Sequence, residues 1–146
     1  MSKPTFASSD TRGIVMLDAL IAIVIFSIGI LGMVHLLSAA VGLTGAAKYR
    51  TDAAMLADQV IAQMWASDTS IGGSLGTNFS SPSGSAYKAW ASGVTTLTSY
   101  SGLPGAKGTP PKIVVDGNNN VTVTIYWQSP EDTTLHSYVA STQIQP

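Results

Sequence analysis

The chain has no cysteine, and only 10% of its 146 residues carry a charge. Without cysteine there is no disulfide, no thiolate metal site and no thiol nucleophile, although an exported domain can manage without bridges. Neither sign of charge dominates: seven Lys and Arg stand against eight Asp and Glu, for a net charge of −1. Nucleic-acid binding calls for basic residues clustered on a face or stripe, and none is present. Histidine is equally scarce. His35 and His136 are the only two, and no second metal ligand sits at a useful spacing from either, so solvated or packed imidazoles are expected. No G-x-S-x-G, Walker loop or GxGxxG occurs, and no serine has an evident base. The expectation is a protein with no catalytic role, no cofactor and no metal.

Against this shortage of charge stands an apolar content of 45% and a mean hydropathy of +0.28. That balance places part of the apolar sequence in lipid. The chain length suits one domain. From Ile14 to Val34 run 21 residues in which Asp18 is the one charged group. At ~1.5 Å per residue a helix of that length reaches about 31 Å, close to the ~30 Å of a hydrocarbon core. Ile, Val, Leu and Ala occupy all faces, with no polar stripe. Lys3 and Arg12 precede the run and favour a cytoplasmic N-terminus, which sends the remainder of the chain to the periplasmic or outer side.

Three processing schemes fit such a segment. A secretory signal peptide needs an apolar run of only ~7–15 residues and then a small-residue cut, for which Ser38-Ala39-Ala40 is the candidate. A plain single-pass anchor accounts for the length but not for the order of residues. A prepilin leader is a short basic polar segment ending in glycine, followed by the apolar run with an acid just inside it. MSKPTFASSDTRG followed by IVMLD has that order.

Glycine, apolar span and early carboxylate together resemble the processing site and N-terminal helix of type IV pilins and of type II secretion pseudopilins. The similarity is greatest to the PilV-type minor pilins, or type IV pilus modification proteins. KYRTDAAMLADQVIAQMWASD, and WQSPED followed by HSYVASTQI, are similar to the corresponding stretches of that group. The resemblance implies a leader over residues 1–13, a transmembrane and assembly helix over 14–41, and a periplasmic pilin head over 42–146. It implies cleavage after Gly13 and N-methylation of Ile14 by prepilin peptidase. The implied partners are that peptidase, the inner membrane, and other minor pilins and the major pilin, met through the N-terminal helix. The implied location is the inner membrane, single-pass, and then the pilus or cell surface. A minor pseudopilin of a type II secretion system remains the near alternative, and a single-pass binding protein that never assembles the distant one.

Asp18 needs a physical account of its own. A carboxylate at the centre of a spanning helix costs ~2.5–3.5 kcal/mol on insertion scales, so intramembrane acids are functional candidates by default. Nearness to the interface and to the helix N-terminus lowers that cost, so simple complementation of the first turn is the plain alternative. In the family the acid neutralises the N-terminal amine of a neighbouring subunit. The resemblance therefore makes Asp18 the assembly carboxylate, although pilins usually carry Glu here and Phe at the first mature position.

Nothing strong interrupts the chain from Val34 to Ala66, so the helix is expected to continue, weakened by ~1 kcal/mol at each of Gly42 and Gly45. Ala53, Leu56, Ala57, Val60 and Met64 then form an apolar stripe, read as head packing. Residues 67–86, rich in Ser, Gly, Thr and Asn, are expected to be an exposed loop. Tyr87, Trp90, Val94 and Leu97 keep helical spacing, and Leu103-Pro104-Gly105 forms a turn. IVVDGNNNVTVTIYW reads as a hairpin whose second strand directs Val121, Val123, Ile125 and Trp127 towards the helix. A turn at Ser129-Pro130-Glu131-Asp132 leads to a last strand, Leu135–Ile144. Trp65, Trp90 and Trp127 are assigned to the core in preference to a carbohydrate platform. The fold class is α+β, a long N-terminal helix packed on a small antiparallel sheet, pilin-like by resemblance.

Overall fold

The computed structural model describes residues 12–71, 73–98, 102–130 and 133–145. The expected leader up to residue 11, and Glu131 and Asp132 of the expected turn, lie outside them. Three helices, α1 (Arg12–Trp65), α2 (Leu75–Phe79) and α3 (Ser85–Thr95), precede three strands, β1 (Lys112–Val115), β2 (Asn120–Trp127) and β3 (His136–Gln143). The chain divides into two units after Val41.

The described part of the first unit is helix alone. The helix passes through Gly42 and Gly45 without a break, as the absence of proline permits. Shortly after them, Thr51 Oγ1 donates to the Ala47 carbonyl at 3.0 Å. Lys48 and Asp52 pair one turn apart at 3.0 Å, an exposed i,i+4 contact contributing about 0.3–0.5 kcal/mol.

In the second unit α1 supplies Ala53, Ala57, Val60 and Met64 to the core, all fully buried, with Leu56 packed at its margin. The period of that stripe is the one expected. Two expectations need correction. Residues 67–86 are not an exposed loop throughout, because Leu75 and Phe79 lie one turn apart on α2 and are both buried. Their i,i+4 spacing, hidden among small polar residues, is enough to dock a single turn. Leu97 lies beyond α3 and is exposed, whereas Tyr87, Trp90, Ala91 and Val94 form its buried face. Gly84 caps the N-terminus of α3, and a Cβ there would stand 2.3 Å from the Asn78 carbonyl oxygen.

The sheet is antiparallel in the order β1-β2-β3, with Ile113 opposite Val123 and Val123 opposite Ala140. On β2 the alternation is strict: Val121, Val123, Ile125 and Trp127 are buried and join α1 and α3 in one core. The hairpin turn runs through three residues. Asn119 N–H donates to Asp116 O at 3.1 Å and Asp116 N–H to Asn120 O at 3.0 Å. Asn119 adopts φ 58°, the left-handed position that Asn tolerates and such a loop needs. Its buried side chain donates to Thr69 O at 2.7 Å. Gly105, at φ 75°, makes the turn expected at Leu103-Pro104-Gly105. The last strand begins one residue later than expected and ends one earlier, at His136 and Gln143. Together the elements give the α+β layout, with a long apolar N-terminal helix and a small antiparallel sheet.

Candidate functional site

Each residue from Gly13 to Val41 is exposed, and most are apolar: Ile14 is 70% accessible and Phe26 68%. Fully burying one such side chain is worth about 1.5–3 kcal/mol. A continuous apolar surface of this extent therefore needs a cover other than water. The helix is long and apolar enough to cross a membrane. Its backbone satisfies itself internally, which hydrocarbon demands. The polar Ser27 conforms, since its Oγ donates to the Ile23 carbonyl at 2.7 Å within the same helix.

Asp18 is the one Asp, Glu, Lys or Arg between Gly13 and Ala47. It lies four residues after Ile14, so the two share a helix face with Cβ atoms about 5–6 Å apart. Among the described residues no hydrogen bond or ion pair reaches its carboxylate. Gly13 lies in the first turn of α1, where no atom comes within 4 Å of a Cβ built on it. Its φ is not among the positive ones. Among the described residues, neither packing nor backbone conformation calls for glycine there.

The remaining candidates do not converge. His35 is exposed on α1, while His136 stacks on Trp127 with ring centroids 5.7 Å apart and planes 20° from parallel. Among the described residues no three His, Cys, Asp or Glu side chains gather where they could hold a metal. Trp90 and Trp127 are buried as assigned, but Trp65 is 49% accessible and is not core. It follows Met64, and one residue turns a helix by about 100°, which carries it off the buried stripe. The three indoles form no shared platform. A cleft of about 360 Å³ lies beside the end of α3, lined by Thr95, Leu97, Pro104 and Lys107 among others.

Two carboxylates outside α1 are held below the usual range. Asp116 accepts from the Asn120 side chain at 2.7 Å, the Asn120 amide at 2.8 Å and the Asn118 amide at 2.9 Å, which lowers its pKa. Asp68 is lowered by the Ser70 hydroxyl and amide. Both clamp turns. Sequence reasoning passed over the outer edge of β3, with which no other described strand pairs, and the signal was available: residues 133–145 contain no Asp, Glu, Lys or Arg.

No family model, curated protein or solved structure matches this chain.

Proposed function

We propose that the chain is a minor pilin, a structural subunit of a type IV pilus tip or priming complex. It is inserted in the inner membrane with a periplasmic head and cut by prepilin peptidase after Gly13. The observation carrying this reading is a lone carboxylate, Asp18, one turn after Ile14 on the otherwise uncharged and exposed stretch of α1 from Gly13 to Val41. The unconstrained Gly13 adds support: a glycine that the fold does not need is one an outside agent can require.

Cleavage at Gly13 leaves the Ile14 amine, which the same peptidase methylates, as a cation at the edge of an apolar helix. When such helices pack together in a filament, that cation and the carboxylate of Asp18 are both withdrawn from water. Each is strongly unfavourable alone, so pairing between neighbouring subunits sets their axial register. The other minor pilins and the major pilin meet the chain through this same helix.

Intact mass and N-terminal sequencing of the protein from membranes test the reading. A chain beginning at methylated Ile14 is the expected product. Retention of residues 1–13 in cells with active prepilin peptidase would overturn it.

A further inference from the structure

We propose that β3 pairs with β3 of a second copy of this chain, antiparallel about a two-fold axis, to give a continuous six-stranded sheet. The two edges of the sheet are finished differently. At the β1 edge, Ser81 donates its amide and its hydroxyl to the Ile113 carbonyl, both at 3.0 Å. Its Oγ also receives the Ile113 amide at 3.3 Å. Two prolines, Pro110 and Pro111, and the exposed Lys112 complete that closure, by the means that proteins ordinarily use to blunt an edge.

Among the described residues none of these devices is present at the β3 edge. Ile144 N–H donates to Asn119 O at 3.0 Å, which fixes the phase of the ladder. His136, Tyr138, Ala140 and Thr142 turn their backbone groups towards β2, opposite Trp127, Ile125, Val123 and Val121. Ser137, Val139, Ser141 and Gln143 turn theirs outward, and among the described residues no strand pairs with them. The strand contains no proline, glycine, lysine, arginine or carboxylate.

Charge and topology favour a second copy as the occupant. Two-fold pairing brings a strand against itself, so any formal charge near the axis would face its like. Here there is none from 133 to 145. Because the β1 edge is sealed, a copy joined through β3 has no second edge to offer, and the assembly stops at two. One two-fold register uses all four outward residues: Ser137 opposite Gln143, Val139 opposite Ser141, with Ala140 facing Ala140 across the axis. On the core side the half-exposed Tyr138, Ala140 and Thr142 would each gain a neighbour. A single pair of eight-residue strands buries less than the ~1,200 Å² of a stable soluble interface. The pairing therefore depends on anchoring by the apolar helix, which raises effective concentration towards the millimolar range. It rests on the membrane insertion proposed above and not on cleavage at Gly13.

The absence of native cysteine makes the test direct. Ala140→Cys in the full chain, expressed in membranes and treated with a copper–phenanthroline oxidant, should give a disulfide-linked species of twice the chain mass. The facing residues form a non-hydrogen-bonded pair with Cα atoms about 4.5 Å apart, within disulfide range. Lys88→Cys on exposed α3 should link at least about tenfold less, as chance collision. Adding Ser141→Pro to Ala140→Cys removes one outward N–H at an edge position where proline is tolerated, and should suppress the link while leaving the circular dichroism of the chain unchanged. A membrane-bound Ala140→Cys chain that stays monomeric overturns the pairing. So does equal linkage at Lys88→Cys, or linkage to a different protein only. Recovery of the chain in the soluble fraction overturns the membrane reading itself, a failure that flotation separates from loss of pairing.

Discussion

The indole Nε1 of Trp90 donates to the main-chain carbonyl of Leu56 at 3.0 Å, so α3 is pinned to the C-terminal part of α1 by a side chain that is itself core. A helical carbonyl has two lone pairs, and the second is available to the indole while the first serves the helix. Burial and a directional bond thus act through one residue, as is usual for tryptophan.

Trp90→Phe keeps most of the apolar volume and removes the bond, and should cost about 0.5–1.5 kcal/mol. Trp90→Ala adds a cavity and should cost about 3–5 kcal/mol. Denaturant unfolding of the detergent-solubilised chain measures both, and a cost near zero for Trp90→Phe would show that the bond contributes little.

Two glycines bracket α3 with opposite expectations. Gly84→Ala forces a Cβ against the Asn78 carbonyl and should destabilise by about 1–3 kcal/mol. Gly93 lies in the last turn of α3 with open space around it, and Gly93→Ala should stabilise by about 0.5–1 kcal/mol. Thermal unfolding of the two variants should move in opposite directions.

The head should lose stability at both ends of the pH scale. The folded pKa of Asp116 lies below the ordinary 3.8 because the Asn120 side chain, Asn120 amide and Asn118 amide all favour the anion. Its contribution is complete above 3.8 and is lost as pH falls through the lower folded value. Tyr87 behaves in reverse. Burial raises its pKa above 10.0, and its hydroxyl donates to Pro111 O at 2.7 Å. Its contribution is complete below 10 and fades as pH rises through the folded value. Asp116→Asn should flatten the acid arm of a melting-temperature profile, and Tyr87→Phe the alkaline arm. Unchanged profiles would refute the assignments.

Asp18→Ala should be cleaved after Gly13 as efficiently as the parent, yet be depleted from pili by at least about tenfold. An unpaired buried cation costs ~3–5 kcal/mol. Asp18→Glu should incorporate normally. Immunoblots of sheared pili against the membrane fraction provide the measure, and normal incorporation of Asp18→Ala would remove the carboxylate from the assembly account.

Legibility in the sequence followed the strength of periodic signals. The apolar stretch was readable from its unbroken length, and the Ala53–Met64 stripe and the alternation from Val121 to Trp127 because burial repeats at 3.6 or 2 residues along one element. Leu75 and Phe79 were not, since a single turn offers one spacing and its surroundings have loop composition. Trp65 and Leu97 were misassigned for a related reason. Large apolar residues at the ends of helices leave the core when the helix ends or turns away.

The chain's own sequence determined the uncovered apolar helix, its single carboxylate and the glycine before it. These are one-dimensional features set by residue type and spacing. Only the tertiary structure decided which sheet edge is closed by another segment. The closure of β1 depends on Ser81, 32 positions from Ile113 in the chain, and a contact at that separation leaves no periodic trace. The same holds for the Trp90–Leu56 bond, made across 34 positions. Local pattern specifies elements, whereas the pairing of their polar edges is settled when the core brings distant segments together.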